Sequence, residues 1–225
     1  MCCAALACGS AGTHNAQTMD SVVLIHGLWM HGIALMPQQR RLAGRGFAAR
    51  RFSYPSMSRG LQQNAEALSR FVSATGGDNI HLVGHSLGGL VALGMLAQYP
   101  DPRVRRVVLM GSPCLGSHCA AVLLRTPGLA ALAGRTLKDW LALPRPPLPS
   151  QVEIGVLSGS RSLGFGRIIP GLPRPNDGVV SVMETRLPEA RDFITLPVSH
   201  TGMLFSRACA DQITAFLESG SFNHA

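Results

Sequence analysis

The stretch Gly84-His85-Ser86-Leu87-Gly88-Gly89 constrains this chain more than any other. An apolar run, Ile80-His81-Leu82-Val83, leads into it, and a small-residue segment of helical character, residues 90–98, leads out. A serine bracketed by glycines between a strand and a helix sits on a sharp, strained turn that holds its hydroxyl clear of the sheet. Gly84 and Gly88 carry no side chain to collide where the strand folds back against the helix. The pattern requires a strand–turn–helix unit and makes Ser86 a candidate nucleophile.

The rest of the chain supplies the sheet such a unit needs. Segments at 21–25, 47–54, 80–83, 104–110, 152–158 and 191–197 read as strands. Residues 21–25 are apolar without alternation, as in a strand buried on both faces. Between the strands lie segments with helical signals. Residues 36–43 tolerate Pro37 in the first turn. Residues 61–74 place Leu61, Ala65, Leu68, Phe71 and Val72 on one face. Residues 87–99 follow the serine, and 203–218 close the chain as an amphipathic helix. This alternation predicts an α/β fold: one compact, mainly parallel sheet of about six strands with helices on both faces. Residues 20–220 form the single domain.

One segment interrupts the rhythm. Residues 116–149 hold an Ala/Leu-rich helical part, 119–143, and then Pro144-Arg145-Pro146-Pro147-Leu148-Pro149. Two readings stay open: a short cap or lid over the site, or a crossover helix packed on the sheet. The Pro-rich stretch reads as a stiff connector. A Gly- and Pro-rich loop, residues 159–175, reads as a second wall of the site.

Composition narrows the classes. Apolar residues make up 46% of the chain and charged residues 14%, enough to build a large core and too few charges for disorder. The net charge of +8 is carried by scattered arginines, with Lys138 the sole lysine. No basic run is interleaved with aromatics, so nucleic acid is not an expected partner. The charge is compatible with peripheral contact to an anionic membrane. Six cysteines include no C-x-x-C pair, which argues against a zinc or thioredoxin-like site. Cys114 and Cys119 are near enough in sequence to pair, but nothing demands it. Residues 1–19 lack periodicity, Lys, Arg and a signal-length apolar core, and read as a disordered extension or as sequence ahead of a start at Met19. A cytoplasmic protein is expected. Cleavage before Cys8 would make it a lipoprotein instead.

A serine hydroxyl needs a base, and the base needs an orienting carboxylate. Of eight histidines, His14 and His224 lie in tails, and His81 lies within a strand. His118 opens the 116–149 segment, and His31 lies by the first strand. His200, in Pro197-Val198-Ser199-His200-Thr201-Gly202 between the last strand and last helix, stands where the base belongs. Carboxylates between Ser86 and His200 are Asp101, Asp139, Glu153, Asp177, Glu184, Glu189 and Asp192. Asp177, in Asn176-Asp177-Gly178-Val179-Val180, is preferred, since Gly178 leaves room beside it and the valines anchor the turn. Glu184 and Asp192 are the reserves. A plain Asn-Asp-Gly turn is the alternative. The oxyanion would take backbone N–H groups from Leu87, at a helix N-terminus, and from Leu28, after Gly27. His26, Trp29, Met30 and His85 are the pocket candidates. No metal and no cofactor is required.

These residues resemble the α/β-hydrolase fold, in particular small bacterial serine esterases and triacylglycerol-lipase-like members. The resemblance runs over roughly residues 20–218. It rests on Val23-Leu24-Ile25-His26-Gly27-Leu28, Val83-Gly84-His85-Ser86-Leu87-Gly88-Gly89, and Asn176-Asp177-Gly178-Val179-Val180 followed by Ser199-His200. It implies hydrolysis of an acyl ester or lipid through an acyl-enzyme, with Ser86, Asp177 and His200 as triad and Leu28 and Leu87 as oxyanion donors. The chain begins almost at the oxyanion-loop strand, so the early antiparallel strands of larger members have no counterpart. Alternatives with the same triad are acyl transfer and thioester cleavage. Outside enzymes, a non-catalytic acyl-binding module is the alternative.

Overall fold

Six strands run parallel in a single sheet: β1 (Ser21–Ile25), β2 (Ala48–Phe52), β3 (Ile80–His85), β4 (Val104–Met110), β5 (Glu153–Gly159) and β6 (Asp192–Leu196). The structure, a computed structural model, describes residues 19–144, 147–164 and 169–224. The spatial order is β2-β1-β3-β4-β5-β6. The expected N-terminal extension lies almost wholly outside the described residues, as do parts of the Pro-rich connector and of the 159–175 loop.

The uninterrupted apolar runs become strands because both faces of the sheet are covered. In β1, Val23 and Ile25 join the core on one side, and Val22 and Leu24 join the core on the other. β4 divides likewise, with Val107 and Leu109 on the first side and Val108 and Met110 on the second. Each such side chain contributes about 1.5–3 kcal/mol when fully withdrawn from water. Helices α2 (Leu61–Ser73), α3 (Leu87–Gln98) and α5 (Gly134–Ala142) share the first core. Helices α1 (Met36–Ala43) and α7 (Arg207–Ser219) share the second. Helix α3 is buried from Leu87 through Leu96, which explains its glycines and alanines: it lies in the middle of the domain and has no solvent face to make polar.

Several boundaries differ from the sequence reading. The second strand is shorter, because Ser53 and Tyr54 leave the ladder. The last helix begins at Arg207, not 203. Met203 and Leu204 are buried, but in a separate 3-10 turn (Gly202–Leu204), and Ser206 starts α7 by accepting the Cys209 N–H. The helical 119–143 segment is broken into α4 (His118–Arg125), a 3-10 turn (Ala130–Ala133) and α5. Pro127 and Gly128 (φ +78°) account for the break: one lacks an N–H, the other turns left-handed. A short helix, α6 (Val182–Thr185), had no periodic signal.

Helix α5 is tied to the body of the domain. Asp139 Oδ2 accepts the N–H of Leu61 at the start of α2, 2.9 Å away, and so caps a helix whose own N-cap, Gly60, has no side chain. Thr136 donates to the Arg59 carbonyl and accepts from Asn64 Nδ2, each at 2.8 Å. Its Leu137 and Trp140 enter the first core. This half of the 116–149 segment therefore packs as a crossover helix, and α4 sits beyond it over the strand ends.

Candidate active site

The strand order reverses between β1 and β3, and ligands of open α/β sheets gather beyond the carboxyl ends of strands at such a point. Ile25 pairs with Gly84 there, which sets the loop after β1 beside the turn after β3. Ser86 occupies that turn with φ 53° and ψ −123°, a conformation few non-glycine residues adopt. Its N–H is fixed by the Met110 carbonyl at 2.8 Å. Gly84 has the predicted purpose of clearing the strand against its own helix, whereas Gly88 clears the neighbouring end of β1. A Cβ on Gly84 would lie 2.5 Å from the Gly89 nitrogen, and one on Gly88 would lie 2.6 Å from the His26 carbonyl oxygen.

His200 follows β6 in the turn preceding the 3-10 segment, and Asp177 follows β5. The two are brought together across 23 residues: His200 Nδ1 lies 2.6 Å from Asp177 Oδ2. The His200 N–H also donates to the Asp177 carbonyl at 2.8 Å, so side chain and backbone are held by one residue. Asp177 is 1% exposed. Its second oxygen, Oδ1, accepts the N–H groups of Val179 and Val180 at 2.9 and 2.8 Å. A carboxylate this deep is tolerable because both oxygens are satisfied by donors.

The other acidic candidates have structural partners. Glu184 caps α6 through Ser181 and receives the His118 N–H at the start of α4. Asp192 receives the N–H groups of Phe193 and Phe222. Asp101 pairs with Arg103, and Glu153 with Arg106 and Arg191.

Ser86, His200, Leu28 and Leu87 line one cavity of about 270 Å³. Trp29 and Met30 line it too. Trp29 is half-exposed and has φ +59°, so the loop after β1 is strained beside the Ser86 turn. His85 reaches the same cavity. The remaining wall is mostly apolar, with Ala120, Leu123 and Cys119 from α4, Leu137 from α5, Pro113, and Val179 and Val180 from the turn of Asp177; Ser117 and Thr201 are its polar members. Burial pushes the Cys119 thiol up to about 11, and it donates to the Val179 carbonyl as a filler of the wall.

Two expectations are corrected. His26 does not line the cavity but lies buried beneath it. Its Nε2 accepts the Tyr54 N–H at 3.2 Å, which leaves Nδ1–H to donate to the Gly27 carbonyl at 2.8 Å. Burial lowers its pKa, so it braces the loop after β1 as a neutral ring stacked on Tyr54. Gly178 does not serve to leave space beside the carboxylate. Its φ is +96°, and a Cβ there would strike the backbone of Leu163.

Gly111 was missed by sequence reasoning. It has φ +57°, and a Cβ on it would lie 3.0 Å from Asp177 Oδ2 and 3.2 Å from His200 Nδ1. The Gly111-Ser112-Pro113 turn at the end of β4, next to β3, was the available signal of a strand end.

Known proteins of this architecture place the chain. A structure of Bacillus licheniformis lipase BlEst2 in mature form superposes with a TM-score of 0.73 at 19% identity, covering 91% of this chain and 92% of that one. The metagenomic carboxyl esterase MGS0156 superposes with a TM-score of 0.65 at 22% identity, covering 82% and 65%. Among curated relatives, 2-hydroxy-6-oxo-2,4-heptadienoate hydrolase of Pseudomonas putida is 30% identical over 202 residues, 80% of this chain and 70% of that protein. A 2-hydroxy-6-oxo-6-phenylhexa-2,4-dienoate hydrolase of Burkholderia cepacia is 46% identical over 54 residues, and the match spans only 18% of that enzyme's length. The alpha/beta hydrolase family model matches residues 22–214, from β1 into α7, so the chain belongs to that family of hydrolases.

Proposed function

We propose that the chain hydrolyses carboxylic esters of small, uncharged acyl groups through an acyl-enzyme on Ser86. The observation that carries this reading is one mostly apolar cavity into which a strained serine and a histidine backed by a buried carboxylate both open. Ser86 Oγ attacks the ester carbonyl while His200 Nε2 takes its proton. The N–H groups of Leu28 and Leu87 receive the oxyanion, the second at the positive end of α3. His200 then protonates the leaving alcohol, and the same ring activates the water that frees the acid.

The dienoate hydrolases named above act on substrates that carry a carboxylate. Burying such a group without a cation is costly, and no Arg or Lys stands among the described residues lining this cavity. The volume falls just below the ~300–1,000 Å³ common for ligand pockets, which favours a short acyl chain. The lipase and carboxyl esterase likenesses agree with ester chemistry.

The test is turnover of chromogenic esters of increasing acyl length, with labelling by a fluorophosphonate. Labelling at Ser86 and fastest turnover of short acyl esters are expected. Wild-type turnover no faster than that of Ser86→Ala overturns the proposal. Gly111→Ala should part the Asp177–His200 pair and lower kcat on the order of 10²-fold, the scale of a small misplacement of catalytic groups. Unchanged kcat in that variant would show that the pair tolerates a methyl group behind it.

A further inference from the structure

His85 precedes the nucleophile, is fully buried, and takes no part in the steps above. Its Nε2 lies 3.0 Å from the carbonyl oxygen of His200. A carbonyl only accepts, so His85 must carry its proton on Nε2 and donate. Its ring lies 4.7 Å from the His200 ring, centre to centre.

We propose that His85 is a positioning residue, whose Nε2–H ties the loop of His200 to the turn that carries Ser86. The inference rests on His200 being the base. That loop is then held at both ends of one residue: Asp177 receives its backbone N–H and His85 supplies a donor to its carbonyl. The Ser86 turn is anchored separately to β4 through Met110. The hydrogen bond from His85 therefore fixes the distance between nucleophile and base, which the two loops would otherwise set independently.

The role also requires that His85 stay neutral. The groups facing it are His200 after β6, Asp177 after β5 and His26 after β1. Burial, aided by His200, takes its pKa down to about 3. Its Nδ1 is buried without a hydrogen-bond partner and faces Gly27, where a Cβ would sit 3.2 Å away. A proton on Nδ1 would meet no acceptor and would set a second cation beside the imidazolium that forms on His200. The bare nitrogen costs some stability, and it keeps the proton of the reaction on the base alone.

A ring that merely filled space would be replaced without kinetic loss by an apolar side chain of similar size. His85→Leu is expected to lower kcat about tenfold, the scale of one hydrogen bond, with KM changed less than about twofold. His85→Gln keeps a donor near the Nε2 position and should restore most of kcat. Equal losses in both variants, or none in either, overturn the proposal. In case either variant fails to fold, ring-nitrogen NMR of labelled histidines in the wild type decides. A neutral His85 protonated on Nε2 between pH 8 and 5 is expected. A proton on Nδ1, or titration of His85 near pH 6.5, overturns it. Absence of ester turnover in the wild type would sink the esterase reading instead, and the NMR result would still report on the tie between His85 and His200.

Discussion

Asp177→Asn should lower kcat for ester hydrolysis about 10⁴-fold while leaving the fold intact. The size of the effect follows from how the carboxylate is held. Oδ1 accepts two backbone N–H groups, from Val179 and Val180, and Oδ2 faces His200 Nδ1. An asparagine in the same turn can satisfy those two donors only with its carbonyl oxygen. Its NH₂ group then points at His200 Nδ1. That nitrogen must become the acceptor, and the ring proton moves to Nε2. With Nε2 protonated, His200 cannot take the proton of Ser86. The substitution is nearly isosteric, so the thermal midpoint should shift by only a few degrees. Steady-state kinetics with a short-chain ester and a melting curve check both halves. A variant retaining more than about a tenth of wild-type kcat would mean that the tautomer is set by something other than Asp177.

The parts of this molecule that were legible in its sequence are those governed by short-range rules. The Ser86 turn was readable because glycines and a serine at fixed spacing mark a tight turn, and the local steric need behind them is visible in Gly84 against Gly88 and Gly89. Val22–Ile25 of β1 and Val107–Met110 of β4 were readable because a strand stretch covered on both faces must be apolar at successive positions. The order of Ser86, Asp177 and His200 was readable because each follows a strand end. What could not be read depends on contacts between distant segments. The Gly111-Ser112-Pro113 turn marks a strand end, but its residues alone do not say that Gly111 lies behind residues 177 and 200. His26 stands in the loop that lines the site, yet the Tyr54 N–H, from the loop after the second strand, draws its ring beneath the cavity. The start of α7 was misplaced because Met203 and Leu204 are as apolar as a helix face would make them, although they belong to a separate turn. Cap and crossover stay open for α5 in the sequence because its tie to α2 runs through Asp139, Thr136 and Asn64, residues far apart in the chain.

Fold stability should fall steadily as the pH drops below about 6.5, well above the range in which carboxylates protonate. His26, His81 and His85 are all buried, and burial lowers the pKa of each. In the unfolded chain they protonate near pH 6.5. Below that pH the unfolded chain holds protons that the folded chain refuses, so acid favours unfolding. Each histidine contributes a slope of up to about 1.4 kcal/mol per pH unit between its unfolded and folded pKa. For His85 the window runs from about 6.5 down to about 3. For His81 it is narrower, because Asp20, 3.3 Å from its Nε2, works against the burial. For His26 the hydrogen bond with Gly27 does the same. Asp101, held low by Arg103, adds a loss of the same sign, but only in stronger acid. Urea unfolding midpoints measured from pH 8 to 4.5 should therefore fall monotonically, and His81→Gln should flatten the slope by one histidine's share. A midpoint constant between pH 7.5 and 5 would mean that these rings accept protons without unfolding the chain, and hence that the neutral interior inferred for His85 and its neighbours does not exist.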